Sequence, residues 1–444
     1  MITKKTFRKN HVTKAVAVVA LALVIAGCGG GSGGGGGTGN AGGGKTLNLW
    51  LGGVLTTSTP GSDYRVWVDD TVARFKQANP GTDVKITLLP ADNDQLAAKV
   101  QGAFASKAVP DVMMLYSGAY TTAYASGLES LTSRIKDTPG MYDSMSGWDL
   151  SCTDFDCQGG SGTVLGVPAD MISFFLFYNK NLLSQAGISG PPQTWDELLS
   201  DCGTLKAKNI VPMAYGDQEG YTTVNFLAEN LASYLEPADM QGILSGSNKL
   251  TDPKVVAALD AVNQLRTSGC SQQDASTQKQ LDAINLFSSG KAAMVEMYAG
   301  VVPDLAKGIG TDNLGVTVIP GSGPLGPRVA SNSGDNWVIP SAAKNKDLAW
   351  KWIQIATDQQ SAEGWTEKVN LPTANIAAAA KVTDPLLAFI ADKSSTASLV
   401  LLDSVLPNGP ALYLYKQLNL TFSGQMSSQD ALASTQQQLD AQGS

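Results

Sequence analysis

Between Lys45 and Tyr116 the period of the apolar positions switches back and forth between two and about 3.6. In TLNLWL, Leu47, Leu49 and Leu51 alternate with other residues, which predicts a strand. In YRVWVDDTVARFKQANPG, Val68, Val72 and Phe75 follow helical spacing, and Asn-Pro-Gly supplies the stop. TDVKITLL predicts a second strand through Val84, Ile86 and Leu88, and NDQLAAKVQGAFAS a second helix through Leu96, Val100 and Phe104. PDVMMLY predicts a third strand. Strands alternating with helices imply a parallel sheet covered on both faces. Ligands collect beyond the carboxyl ends of such strands. Here those ends carry Trp50-Leu51-Gly52-Gly53, Asp92-Asn93 and Tyr116-Ser117-Gly118.

Further on the rhythm changes. GVPADMISFFLFYNK, residues 166–180, predicts one long apolar strand. TWDELLSDC then opens a helix, with Thr194 as N-cap and Glu197 as its capping-box partner. NIVPMAY predicts a strand, FLAENLASYL and PKVVAALDAVNQL predict helices, and GDNWVIP another strand. KDLAWKWIQIATD predicts a helix with Leu348, Trp352 and Ile355 on one face, and Asp384 to Gln442 reads as helices and loops.

The N-terminus is different in kind. Five basic residues precede Ala15–Ile25, an unbroken apolar run of 11 residues. That is shorter than the roughly 20 a spanning helix needs but suits a secretory signal. Ile25-Ala26-Gly27-Cys28 resembles the lipobox of bacterial lipoproteins, which makes Cys28 the lipidated first residue after cleavage of 1–27. The glycine-rich stretch 28–44 then reads as a tether. Its flexible chain spans roughly 20–25 Å. Losing 1–27 leaves 26 basic against 39 acidic residues, a formal charge of −13, which disfavours nucleic acid and anionic lipid as partners. The only histidine, His11, leaves as well, which excludes Ser-His-Asp and Cys-His catalysis and a His-ligated zinc.

Four cysteines remain: Cys152, Cys157, Cys202 and Cys270. An even number in an exported chain points to two disulfides. The short polar loop SCTDFDCQGG favours Cys152–Cys157, which leaves Cys202–Cys270, although three connectivities are open. The gaps lack the paired C-x₂-C spacing of a Cys₄ metal site.

VPADMISFFLFYNKNLLSQAGISGPPQTWDELL, LFSSGKAAMVEMYAG and SAAKNKDLAWKWIQIATDQQSAEGW occur in this order. The set resembles the carbohydrate-binding, maltose-binding-protein type of ABC-transporter extracellular solute-binding proteins over essentially all of residues 45–444. The resemblance implies an α/β fold of two hinged lobes, periplasmic-binding-protein-like, with a ligand cleft between them. Lobe one would comprise 45–167 plus 335–368, and lobe two 168–334 plus 369–444. It implies a monomer held at the cell membrane by its lipid, outside the cytoplasm, which passes a carbohydrate to an ABC permease without catalysis, cofactor or metal.

Sugar faces stack on aromatic rings, and their hydroxyls seek charged or amide partners. In VPMAYGDQEGYTTVNFL the resemblance places Glu219 and Tyr221 where the maltose-binding type has a carboxylate and a stacking aromatic. Tyr116, Ser117 and Tyr120 end the third strand, and Trp50 ends the first. Asn93 either reaches the cleft or caps its helix. Asp170, Asp335 and Asn336 lie at the hinge strands and serve either ligand or hinge. Where the family has Gly-x-Trp this chain has Gly300-Val301-Val302, which removes a stacking platform that Tyr298 can replace. Tyr413 and Tyr415 lie near another family aromatic position.

Two literal motifs carry nothing. Gly321–Gly326 matches G-x-G-x-x-G but contains Pro324, and Ser288–Lys291 matches S-x-x-K without S-D-N or K-T-G. Other readings are a binding protein for a polyol, glycerol phosphate or polyamine, and a carbohydrase using paired carboxylates such as Asp217 and Glu219. The acidic and neutral loops favour a neutral or cationic solute.

Overall fold

A computed structural model describes residues 45–90, 93–153 and 162–442. The predicted alternation produces the first sheet. β1 (Lys45–Leu51), β2 (Thr82–Leu88) and β3 (Val112–Tyr116) run parallel in the order β2-β1-β3, and Leu47, Leu49 and Leu51 are wholly buried on one face. β4 (Gly166–Pro168) and the late-arriving β11 (Asp335–Val338) complete it, with β11 antiparallel between β3 and β4.

The helix Asp63–Ala78 starts where the Ser62 hydroxyl accepts the Arg65 N–H, and it ends before Gly81, whose φ of +77° disfavours side chains. Its buried face meets the helices Lys346–Ala356 and Gln359–Val369 through perpendicular ring contacts. Trp67 lies 4.8 Å from Trp365, and Phe75 lies 5.6 Å from Trp352, which also meets Trp337 of β11 at 5.8 Å. These contacts tie residues distant in sequence to the first sheet.

The segment predicted as one strand over 166–180 is three. After β4, β5 (Met171–Ile172) pairs only with β10 (Asn332–Ser333), and β6 (Phe174–Asn179) enters a second sheet. The chain here passes from one sheet to the other and is mostly buried, so its apolar run shows no break. Asp170 marks the first break, where its carboxylate accepts the Asp335 N–H at 2.8 Å.

The second sheet has the order β7-β8-β6-β9, with β7 (Val211–Ala214), β8 (Ala292–Tyr298) and β9 (Leu314–Thr317). β7 and β8 are parallel, and β6 is antiparallel to both its neighbours. The helix Trp195–Ala207 is capped by Thr194 as predicted, but Glu197 reaches back to the N–H of Gln193 rather than of Thr194. A disulfide joins Cys202 to Cys270, bringing their Cα atoms to 4.9 Å. Cys157, Cys28, the signal segment, the tether and Asp92 lie outside the described residues.

Three stretches cross between the sheets side by side. The Met171 N–H donates to the Pro372 carbonyl, Asp170 bridges to Thr373, and Ser331 Oγ donates to the Ile172 carbonyl. Glu229 clamps two of them, accepting the N–H of Phe174 at 3.1 Å and of Ala330 at 2.9 Å. The loop at Gly321–Gly326 is held by Asn230, which accepts from Ser322 N, and by Ser233, which accepts from Gly323 N. It leads into no helix.

Candidate ligand cleft

β3 delivers Tyr116 to the carboxyl end of the first sheet, in register with Asp335 of β11. One turn further, Tyr120 meets the Tyr116 ring edge-on at 5.6 Å. Between them Gly118 has φ +63° and ψ −132°, and a Cβ there would come within 3.0 Å of the Ser404 carbonyl oxygen. Only glycine suits that position.

The second sheet supplies the facing groups. Tyr298 ends β8. The loop after β7 is fixed by Asp217, whose Oδ1 accepts the Thr223 N–H at 2.8 Å, and it leads through Gly220 to Tyr221 at the start of the helix Tyr221–Leu231. Gly220, at φ +80°, packs directly on the Tyr415 backbone. The Tyr221 and Tyr415 rings meet edge-on at 5.1 Å, and the Tyr415 hydroxyl donates to Asp403 at 2.8 Å.

These phenols also influence one another electrostatically. Burial holds the Tyr116 phenol well above its ordinary pKa, and Asp335, Tyr120, Tyr298 and Tyr221 push it further. Tyr298 is raised to about 12 by burial, then by Tyr64 and Asp304. Tyr415 is raised by burial and by Asp403, with Tyr120 and Tyr221 adding to it. Tyr64, Tyr116, Tyr298 and Tyr415 thus stay protonated at neutral pH, each a ring face with a phenolic hydroxyl.

Carboxyls lie among and behind them. Glu219 is half-buried with no hydrogen-bond partner for Oε2 among the described residues. Asp217 is raised to about 7 by burial, with Glu219 adding repulsion. Glu296 lies wholly buried two residues before Tyr298 on β8. Burial raises its pKa strongly, with the Asn225 amide the neighbour that moderates it. Asp170 and Asp335 form a buried pair in which desolvation raises both. None of these groups has a lysine or arginine among the neighbours that shift its pKa.

Of the residues singled out from sequence, Asp335, Tyr120, Tyr298 and Tyr221 act electrostatically on Tyr116, and Glu219 precedes Tyr221 by two residues in the loop after β7. Ser117 and Asn336 are placed as braces. The Ser117 hydroxyl donates to the Ser333 carbonyl, while Asn336 accepts from Ser151 at 2.8 Å and donates to the Leu150 carbonyl at 3.1 Å. Trp50 packs in a satellite core with Phe104 and Tyr116, beneath the Lys99 ammonium at 5.2 Å. Asn93 begins the helix Asn93–Ser106.

The family model described as "Bacterial extracellular solute-binding protein" matches residues 70–391. The chain belongs to this family. A binding protein of Brucella abortus (strain 2308) is 28% identical to this solute-binding protein over 196 residues, which is 44% of this chain and 46% of that protein. The alignment thus spans about half of that relative. The diacetylchitobiose binding protein DasA of Streptomyces coelicolor is 27% identical over 339 residues, 74% of this chain and 72% of its own. A solved chitin oligosaccharide binding protein superposes with a TM-score of 0.74 at 20% identity, covering 89% of this chain and 98% of that one. The solute-binding protein therefore has the two-lobed fold of the maltose-binding type.

Tyr64 and Asp304 act on Tyr298 without a sequence signal. Tyr64 sits one helical turn before the buried Trp67 and Val68, so its spacing reads as core, and Asp304 reads as an ordinary first-turn acid.

Proposed function

We propose that this solute-binding protein captures a carbohydrate by hinge closure between lobes of 45–167 plus 335–368 and 168–334 plus 369–444. The chain is lipid-anchored through Cys28 outside the cytoplasm and passes its cargo to an ABC permease as a monomer. Tyr116, Tyr120, Tyr221 and Tyr298 supply the stacking faces, and Glu219 and Asp335 accept from hydroxyls. The observation that carries the reading is the set of tyrosines at the ends of β3 and β8 and on the adjoining helices, with Tyr116 against Tyr120 and Tyr221 against Tyr415. Flat, neutral rings with hydroxyl tips suit a ligand with weakly apolar faces and hydroxyl edges. The sugar-binding relatives support it.

No bond need be broken. A ligand that touches both lobes stabilises the closed arrangement by its differential affinity for it. Calorimetry against mono- and oligosaccharides tests the substrate class, and small-angle scattering with and without ligand tests closure. Binding with a contraction is expected, and Tyr221→Ala and Tyr298→Ala should each weaken it at least about tenfold, about 1.4 kcal/mol. An unchanged shape and no heat with every saccharide would overturn the proposal. Mass spectrometry of the membrane fraction, with Cys28→Ala as control, tests the anchor.

A further inference from the structure

We infer that Glu229 is a positioning residue for the cleft. It locks the helix that begins with Tyr221, the strand that pairs with Tyr298 and one crossing stretch into a single unit, and so confines lobe closure to residues 171–173 and 331–334. The inference rests on the hinge-closure reading above and concerns a buried side chain behind the proposed ligand contacts.

Glu229 lies two helical turns after Tyr221 on the same helix, about 12 Å along its axis. Every residue from Thr222 to Leu231 is buried, so this helix cannot tilt without repacking its surroundings. Glu229 is 1% exposed and reaches two stretches of chain at once. Its Oε1 accepts the Phe174 N–H at 3.1 Å, and its Oε2 accepts the Ala330 N–H at 2.9 Å. Phe174 opens β6 and is the ladder partner of Tyr298 on β8, and their two rings meet edge-on at 6.4 Å. One side chain thus holds Tyr221 through its helix and Tyr298 through its neighbouring strand.

At the other end of the crossing a second carboxyl acts in the same way. Asp170 accepts the Asp335 N–H at 2.8 Å, where β11 enters the first sheet. Between the two clamps lie only residues 171–173 on one stretch and 331–334 on the other. They hold the two-residue ladder of β5 and β10, and a Cβ added at Gly334 would lie 2.9 Å from Asp170 Oδ1. A carboxyl suits the Glu229 position better than an amide. Both of its oxygens accept, whereas a glutamine turns a donor of its own toward one of the two N–H groups. A buried N–H left without an acceptor is costly. Without the clamp the crossing stretches bend over a longer span, and ligand binding must fix freedom that the intact protein has already given up.

The test uses the mature chain carrying Glu229→Gln, which keeps the size of the side chain, or Glu229→Ala, with Trp352→Ala as a control destabilised at the first sheet. Calorimetry with the saccharides that bind the wild type should show affinity at least about threefold weaker in Glu229→Gln and about tenfold weaker in Glu229→Ala. Hydrogen exchange in the ligand-free protein, read in peptides spanning Phe174 and Ala330, should be at least about tenfold faster in both variants. Trp352→Ala should melt lower yet keep wild-type affinity and wild-type exchange in those peptides. If the wild type contracts on binding and both Glu229 variants bind as tightly as it does, the inference is overturned while the hinge-closure reading stands. Unchanged exchange at both peptides overturns it too, as does an equal loss of affinity in Trp352→Ala, because general destabilisation then suffices. If the wild type binds no saccharide and keeps its shape, the reading beneath falls and this inference with it.

Discussion

Gly118→Ala tests whether the end of β3 closes against the C-terminal helices. The residue has φ +63° and ψ −132°, a region that non-glycine residues avoid at a cost of about 1–3 kcal/mol. The added Cβ would also fall within 3.0 Å of the Ser404 carbonyl and lie 3.3 Å from Leu150 Cδ1. Backbone strain acts whether the lobes are open or closed. The clash acts only where the helix Leu402–Val405 sits against residues 117–119, which under the proposed lobe boundaries is the closed state. Overpacking of this kind costs about 1–3 kcal/mol, so saccharide affinity should fall about 10- to 100-fold. Gly81→Ala separates the two effects. Its φ is +77° with nothing within 4 Å of the added carbon, so it should lose about 1–2 kcal/mol of stability and no affinity. Both are read by thermal melting and calorimetry on each variant. Wild-type affinity in Gly118→Ala, or an equal affinity loss in Gly81→Ala, would refute the argument that this contact belongs to closure.

Reducing the Cys202–Cys270 disulfide, which closes a separation of 68 residues, should cost about 4 kcal/mol on the chain-entropy account. Melts with and without reductant check it, and an unchanged melting temperature would count against a stabilising role. Trp352→Ala removes a ring packed on both Phe75 and Trp337 and should cost about 3–5 kcal/mol in denaturant titration. A loss below about 1 kcal/mol would mean the seam repacks freely. Burial raises Glu229 to about 8 and Asp217 to about 7 from 4.5 and 3.8, so the folded state holds protons that the unfolded state has released. Stability from these groups is full below about pH 4 and is lost as pH rises toward about 8. Glu229→Gln should flatten that slope in melts across the range, and a slope unchanged in the variant would show that other groups set it.

The physics of periodicity explains which parts of this fold were legible. Leu47, Leu49 and Leu51 alternate because one face of β1 is wholly buried, and Val68 and Phe75 recur at helical spacing because one stripe of their helix faces Trp352 and Trp365. Residues 166–180 were not legible in the same way. Their apolar run is equally continuous whether it makes one strand or three, and the break at Asp170 depends on Asp335, 165 positions away. The candidate site divides likewise. Tyr116 ends a strand, where sequence order predicts a ligand edge, while Tyr221 and Tyr298 were legible only through the family resemblance. Tyr64 and Asp304 look like a core residue and a helix-start acid until the chain is folded.

Sequence alone therefore determined most of the local elements, because each depends on residue type and near-neighbour spacing, whereas the Cys202–Cys270 pairing was one of three connectivities it left open. Tertiary structure alone decided where the long apolar run divides between sheets, that Ser117 and Asn336 serve as braces, and that Tyr116 meets Tyr120 and Tyr221 meets Tyr415. Convergence is set by which strands lie side by side, and the hydrogen bonds and burial that fix those neighbours join residues hundreds of positions apart.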